Sequence, residues 1–299
     1  MQVETIIEQE FSAERAADFL RFQGRHVVKT ESCWWYNAYG QKHIYYSFPP
    51  NRVVAPSSDE IKQVFKSAPG AKAVRYLSPV TAGTGKEGYI WTCRQPYSLQ
   101  TLEHKARNQV RQGLKNCQVR AITLAELQEL GARAHADTMK RLGIDTGELK
   151  FGKAMQDNPA YEAWGAFVEG NLAAYIVTLR IEDWVYIQIN RSVKEYLKHR
   201  PNNALVYTVI SELLARPGIS TVSYGWGPLY ELDTLDHFKF GMGSVKEPVR
   251  QCAILTYWLR PILPSFVCRT VEKLSELRGN DHRLKQIAGI CRLVRETST

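Results

Sequence analysis

Several signatures that would place a chain quickly are missing here. The six cysteines, at 33, 93, 117, 252, 268 and 291, form no C-x-x-C pair. Nothing in their spacing resembles a zinc site or a disulfide framework, so no metal is expected and the reduced thiols of a cytoplasmic protein fit best. No apolar run reaches the length that spans a bilayer. The nearest, Cys252 to Val267, is broken by Arg260, Pro261 and Pro264. The opening MQVETIIEQE is acidic and has no apolar core, so no secretory address is expected. No Ser-His-Asp set is evident.

Positive charge is what the chain has in excess. Thirty-nine basic against thirty acidic residues leave +9, which suggests a polyanionic partner. Between Thr101 and Arg120, Lys105, Arg107, Arg111, Lys115 and Arg120 stand against Glu103 alone, and the C-terminal tail adds Arg260, Arg269, Lys273, Arg278, Arg283, Lys285, Arg292 and Arg295. Phosphate-rich donors, nucleic acid and anionic membrane surfaces would all be attracted; a solvated basic face is the plainer alternative. At 299 residues and 44% hydrophobic content, the chain can form two modest globular domains or one large one.

Read in order, residues 11–23 predict a helix, and Ser32–Tyr39 and Lys42–Phe48 predict two strands turning at Gly40-Gln41. Ser57 and Glu60 make a capping box for a helix to about Ser67. Strands are expected over Ala73–Leu77 and Tyr89–Cys93, and a basic helix over Leu102–Leu114. Cys117–Ile122 reads as a strand. Thr123 and Glu126 form a second box, opening a helix to Leu142 that Gly143 closes. After a short helix at Lys153–Asp157 come three antiparallel strands, Tyr161–Val168, Leu172–Ile181 and Trp184–Asn190, with Glu169-Gly170-Asn171 and Glu182-Asp183 as turns.

The chain is organised around residues 184–243. A basic loop, Arg191 to Pro201, leads into a helix that Asn202 or Asn203 can cap. On that helix Leu205, Val209 and Leu213 lie beside Val206, Ile210 and Leu214 at helical spacing, and Arg216-Pro217-Gly218 stops it. Ile219–Trp226 follows as a strand parallel to Trp184–Asn190. Asp233–Phe240 is a short helix, Arg250–Trp258 a last strand, and 262–296 a helical extension. A basic loop that opens a helix suits an anion, because the first-turn amides are unpaired and the dipole favours negative charge. Hairpin, capped helix and strand occur at 32–77 and again at 161–226, a repeat of topology without identity.

The order of elements resembles the GNAT fold of acyl-CoA N-acyltransferases, and particular residues narrow it to FemAB-like members. Arg107-Asn108-Gln109-Val110-Arg111 with Gly113-Leu114 looks like their R-x-x-x-R…G segment, and Ala163–Tyr175 (AWGAFVEGNLAAY) is similar to their hairpin. Leu235–Gly243 (LDHFKFGMG) is close to the F-K-x-x-[FM]-G signature. The resemblance covers roughly residues 100–258. It implies a mixed-sheet α/β (α+β) fold with tandem GNAT-like domains: a degenerate one at 1–100, a basic connecting helix at 101–116, the catalytic domain at 117–258 and a helical extension at 259–299.

The resemblance also implies roles. Lys239 would sit at the reaction centre, where a cation stabilises a developing oxyanion. Phe238 would line the acceptor side or simply pack. Tyr224 could protonate a leaving group, or be a structural tyrosine. Gln188, Asn190, Arg200, Asn202 and Asn203 would meet the donor, although Arg-Pro-Asn-Asn replaces the usual glycine-rich pyrophosphate loop. Tyr186, Gln188 and Asn190 alternate on one strand face. Trp34 and Tyr36 share the face opposite Trp35 and would form an acceptor wall with Arg107 and Arg111, cations suited to phosphate or carboxylate.

The expected activity is amide formation by direct attack of an amine, from a small molecule or peptide, on an activated acyl donor, with no permanently bound cofactor. Acyl-CoA is the first expectation for the donor and aminoacyl-tRNA the alternative. A non-catalytic scaffold that binds nucleic acid or a protein is the rival from another class.

Overall fold

The computed structural model describes residues 11–38, 42–68, 70–143, 147–229, 233–259, 268–271, 273–274 and 282–297. In chain order the elements are α1 (Ala13–Phe22), β1 (Val27–Lys29), β2 (Trp34–Asn37), β3 (Ile44–Phe48), α2 (Ser58–Ser67), β4 (Ala73–Ser78), β5 (Lys86–Cys93), α3 (His104–Asn116), β6 (Gln118–Ile122), α4 (Leu124–Leu130) and α5 (Ala132–Leu142). Then follow α6 (Lys153–Gln156), β7 (Tyr161–Val168), β8 (Asn171–Ile181), β9 (Trp184–Ser192), α7 (Pro201–Leu214), β10 (Thr221–Trp226), α8 (Asp233–Gly241), β11 (Val245–Leu255) and α9 (His282–Thr297). Two compact units emerge: Met1–Ile90 with Gly225–Leu232 and Lys246–Thr299, and Trp91–Tyr224 with Asp233–Val245. They cut across a division in chain order, since most of β11 falls in the first. No described helix is long and apolar enough to cross a membrane.

In the first unit β2 and β3 form the expected hairpin, its Gly40-Gln41 turn lying outside the described residues. β1, too short to register as a strand in the sequence, adds antiparallel to β2. Helix α2 then carries the chain from β3 to β4, which pairs parallel to β3, and β11 joins β4 antiparallel. The apolar stripe of α2, Ile61 and Val64, packs against Trp35, Tyr45, Val74 and Tyr76. Trp35 is fully buried and its indole donates to Thr30 Oγ1 at 3.0 Å, which satisfies its one polar atom. β11 starts earlier than its apolar residues suggest, at Val245, and ends at Leu255. Tyr257 and Trp258 lie beyond it with much of their surface exposed, because strand pairing here extends into the polar Lys246-Glu247 segment rather than the aromatic one.

Helix α2 begins as the capping box requires. Ser57 Oγ accepts from Glu60 N at 3.2 Å, and the Glu60 carboxylate accepts from Ser57 N at 3.0 Å. The same carboxylate also accepts from the amide and hydroxyl of Ser32, both at 2.8 Å, and so pins the start of the hairpin to the helix. Burial alone would raise its pKa, but these donors win and hold it down at about 2. Because the folded value lies below the unfolded one, Glu60 stabilises the fold fully above about pH 4.5 and loses that contribution as pH falls toward 2. Glu60→Gln is expected to cost about 1–3 kcal/mol at pH 7 in urea unfolding, the usual scale for hydrogen bonds to a charged group. The difference from wild type should vanish near pH 2; a pH-independent difference would refute the assignment.

The second unit repeats the plan on a larger scale. β6, β7, β8 and β9 are antiparallel neighbours in that order, and α7 leads to β10, which lies parallel to β9. Hairpin, crossover helix and parallel strand therefore occur once per unit, as β2-β3-α2-β4 and as β8-β9-α7-β10. The hairpin turn needs left-handed backbone at Glu169 and Gly170 (φ 49° and 80°). Helix α7 is packed over most of its surface: Ala204, Leu205, Val206, Val209, Ile210 and Leu213 are fully buried, and Glu212 is exposed. At about 1.5–3 kcal/mol for each large aliphatic side chain, this helix is the main anchor of the core. On the opposite sheet face, α4 and α5 cover Phe167, Tyr175 and Val177.

Three expectations need correction here. The single helix from Thr123 to Leu142 is two, meeting at Gly131, where a side chain would place Cβ 2.6 Å from Leu127 O and 2.8 Å from Leu149. Neither Asn202 nor Asn203 caps α7. The cap is Arg200, in left-handed conformation (φ 61°, ψ 40°), with Pro201 at the first helical position and no side-chain cap bond. A two-turn 3-10 helix, Lys194–His199, occupies the segment read as loop.

Candidate functional site

The site is built where β9 and β10 part. Their pairing runs from Trp184–Thr221 to Tyr186–Ser223 and then stops, although β9 continues to Ser192. Just past that point β9 carries a bulge: Thr178 pairs Ile187 and Val177 pairs Ile189, so Gln188 is skipped. The extra residue bends a strand and re-aims side chains. It also breaks the alternation expected for Tyr186, Gln188 and Asn190: Tyr186 is buried, Gln188 exposed and Asn190 half-buried.

Tyr224 follows the last paired residue of β10. Its hydroxyl is buried and has no hydrogen-bond partner among the described residues. Burial, with a smaller contribution from Cys93, pushes its pKa well above the usual tyrosine value. The phenol therefore stays neutral at rest and can donate a hydrogen bond, while burial makes it a weaker acid than a free tyrosine. An orphaned buried hydroxyl costs about 1–3 kcal/mol, which marks Tyr224 as a group held ready for something else.

Lys239 comes to the same place from α8. Its Nζ lies 5.2 Å from the centroid of the Tyr224 ring and 5.5 Å from that of the fully buried Trp91. Two ring faces hold the ammonium by cation–π attraction, with less water around it than a surface lysine keeps. Phe238 packs against the adjoining core beside Tyr224.

The glycine-rich end of α8 explains how Lys239 is held. Gly243 takes φ +82°, which L side chains rarely adopt, and the turn returns Gly243 N to Phe240 O (2.9 Å) and Ser244 N to Lys239 O (3.0 Å). Tyr97 Oη donates to Met242 O at 2.9 Å, and Ser244 Oγ meets Cys93 Sγ at 3.1 Å. Gly241 lets α8 approach α3, where a Cβ would come 3.0 Å from Glu103 Oε2. The Phe-Lys-x-x-Met-Gly segment thus works as a clamp that fixes one lysine.

The other expected residues have more structural duties. Asn203 is buried, and its amide donates to Gln109 Oε1 at 3.2 Å and contacts Met242 Sδ at 3.6 Å, tying α7 to α3 and α8. Asn202 donates to Ser192 Oγ at 3.2 Å, while its Oδ1 is buried without a partner. The Arg200 side chain is exposed. Arg107 donates to the carbonyls of Gln100 (3.2 Å) and Leu102 (3.1 Å), which makes it a loop clasp; Arg111 is exposed and donates to Asn108 Oδ1 at 3.3 Å. Trp34 and Tyr36 belong to the first unit, on the face opposite Trp35 as expected, with the Trp34 ring 5.0 Å from Lys29 Nζ.

Two groups escaped the sequence reading. Trp91 gave no signal beyond being an aromatic in a strand. Arg191 and Tyr175 face each other across β9 and β8. Tyr175 Oη and Arg191 Nε are both buried without partners, and burial lowers the Arg191 pKa while pushing Tyr175 up to about 12. A half-buried arginine with no carboxylate partner among the described residues is suited to an anionic ligand. No cluster that could hold a metal ion occurs among the described residues.

No family model and no curated protein matches this chain. Solved structures do. FemX superposes with a TM-score of 0.59 at 14% identity, over 81% of this chain and 91% of that one. The C-terminal domain of an Agrobacterium fabrum protein assigned as a lysylphosphatidylglycerol synthetase gives 0.57 at 13%, over 85% and 90%. L-PGS from Bacillus licheniformis gives 0.50 at 15%, over 91% and 98%. At such identity the likeness establishes the fold alone, the one shared with FemX and the lysylphosphatidylglycerol synthetase domain.

Proposed function

We propose that the second unit is an acyltransferase that forms an amide by attack of an amine on an activated acyl carbonyl. The observation that carries this reading is Tyr224, its hydroxyl orphaned and its ring 5.2 Å from the Lys239 ammonium, at the point where β9 and β10 separate. As the amine adds, the C–N bond forms and the carbonyl oxygen gains negative charge, which Lys239 stabilises in a setting poor in water. Collapse breaks the bond to the leaving group; the Tyr224 phenol passes its proton to the departing oxygen or sulfur and takes up the one that the amine nitrogen gives off, so it ends neutral.

Two donors remain in competition. A coenzyme A thioester is the general choice of the fold. Helix α7 weighs against it. Its N-terminus has a left-handed arginine and a proline in place of a glycine-rich cradle, and Asn203 is turned inward. An aminoacyl ester of tRNA is supported by the likeness to FemX and to lysylphosphatidylglycerol synthetases, the latter named for a lysyl transfer, and by exposed Lys105, Arg111 and Lys115 on α3. We favour the aminoacyl ester, with an amine-bearing small molecule or peptide as acceptor.

Thermal unfolding in parallel with acetyl-CoA, a long-chain acyl-CoA and total aminoacylated tRNA separates these. A ligand at a hundredfold excess over its Kd stabilises the native state by about 2.7 kcal/mol, which is readily seen as a rise in midpoint. A rise with tRNA alone, lost on Arg111→Glu/Lys115→Glu and steeply salt-dependent, supports the aminoacyl reading. A rise with a thioester alone replaces it. No rise with any of the three leaves the scaffold reading ahead.

A further inference from the structure

The first unit carries a second arrangement that the transfer chemistry does not use. Its sheet buries one face under α2. Strand register places Tyr36, Tyr46 and Arg75 side by side on the other, with Gln251 on the same face of β11. Arg75 lies in the middle of this sheet. Its guanidinium carbon is 5.2 Å from the ring centroid of Tyr46 and 5.6 Å from that of Trp226. One terminal nitrogen donates to Gln251 Oε1 at 3.0 Å and the other to Tyr46 Oη at a long 3.4 Å. Its Nε is buried with no partner, and no carboxylate among the described residues pairs with it. A guanidinium is charged at every accessible pH and has five donors. Half-burying one without a counter-charge is costly, and cation–π contact offsets only part of that cost.

The surroundings are fixed in advance. Gln251 is buried and its own amide donates to Gly227 O at 2.8 Å, so its oxygen must face Arg75. Gly88 presses on Gln251 so closely that a Cβ there would lie 2.9 Å from Cγ. The Trp226 indole donates to Pro50 O, and Gly227 N to Tyr89 O at 2.7 Å, which locks the ring beside the cation. Burial pushes the Tyr36 hydroxyl up to about 12, so it stays protonated and adds a neutral donor to the same face. Arg75, Tyr36, Tyr46 and Trp226 all retain partial exposure.

We propose that this face of the first unit is a binding site for an oxyanion, a carboxylate or a phosphate ester, carried on a planar body. The hydrogens on the two terminal nitrogens of Arg75 that Tyr46 and Gln251 leave unused receive the oxygens in bidentate fashion, and the Tyr46 and Trp226 rings flank the group that bears them. The site lies wholly within the first unit and does not depend on the reaction assigned to Lys239.

Calorimetric titration of the full-length protein at constant ionic strength tests this, with inorganic phosphate as one probe and benzoate as the other. At least one probe should saturate wild type and Lys239→Ala alike, in the millimolar range expected of so small a ligand. Arg75→Lys, which keeps the charge but not the fork, should weaken binding about tenfold, a loss of one bidentate contact, and Arg75→Gln should abolish it. Saturation by phosphate alone assigns a phosphate ester, and by benzoate alone an aromatic carboxylate. If neither probe saturates, or if binding survives Arg75→Gln, Arg75 is only a staple of the sheet and the proposal fails. Should Arg75→Gln not fold, Arg75→Lys decides, and unchanged affinity overturns the site.

Discussion

Replacing Lys239 by alanine is expected to lower turnover by on the order of a hundred- to a thousandfold, the usual effect of removing one donor to a developing oxyanion. The fold should survive, because the side chain is half-exposed and its clamp is made by backbone atoms of Lys239, Phe240, Met242 and Gly243. The structural cost includes cation–π contact with Tyr224 and Trp91, worth about 0.5–2 kcal/mol. The two effects differ in where they appear. A structural lysine would shift the melting midpoint and leave single-turnover rates alone; an oxyanion-stabilising lysine would do the reverse. Lys239→Arg sharpens the test. The charge remains, but the planar group is bulkier and its donors sit elsewhere, so partial activity is expected. A Lys239→Ala enzyme with full single-turnover rate would remove Lys239 from the mechanism, whatever its stability.

The fold was legible because its parts are strongly patterned. The second-unit strands are aromatic and β-branched between turns marked by Glu-Gly-Asn and Glu-Asp, and α7 has apolar residues at helical spacing on two adjoining faces. Even the repeated topology could be read, since Ser57 and Glu60 announce the first crossover helix as plainly as Pro201 introduces the second. What escaped were features that depend on partners remote in sequence. The need for glycine at the Gly131 break comes in part from Leu149, eighteen positions on, which packs where a side chain would stand. The bulge at Gln188 is a property of pairing with β8, not of β9 itself.

The site divides in the same way. Lys239 stood out because a local motif surrounds it, and that motif proves to be a backbone clamp with a physical reason for each glycine. Arg107 matched its motif equally well, yet its guanidinium serves the carbonyls of Gln100 and Leu102. A cation in a sequence motif does not say whether its donors face a ligand or the backbone. Arg75 had no motif, and its interest comes entirely from Tyr46, Trp226 and Gln251, the last two more than 150 positions away.

Gly113→Ala should destabilise the second unit, and Gly113→Val should do so severely. A Cβ at this position would fall 2.6 Å from Arg200 O, 3.0 Å from Ala204 Cβ and 3.2 Å from Ala204 N. The first and last of these are backbone atoms of the opening turn of α7, where Ala204 N donates to Arg200 O, so neither can swing aside. Alanine brings a helix-propensity gain of about 1 kcal/mol over glycine in α3. Overpacking costs typically about 1–3 kcal/mol, and more when the obstacle is rigid. The collision should therefore win, with a net loss of about 1–2 kcal/mol for alanine and several for valine, which adds two methyls and loses most of the propensity gain. The strain should also reach the proposed site, because relieving it moves α3 from α7 and stretches the bond from the Asn203 amide to Gln109, the same amide that contacts Met242 beside Lys239. Urea unfolding and single-turnover rates on the same samples would show both effects. Gly152→Ala is the control, with ordinary backbone angles and nothing within 4 Å of its Cβ. If Gly113→Ala unfolds at the wild-type midpoint, the close approach of α3 to α7 is not what requires glycine, and the R-x-x-x-R…G segment needs another explanation.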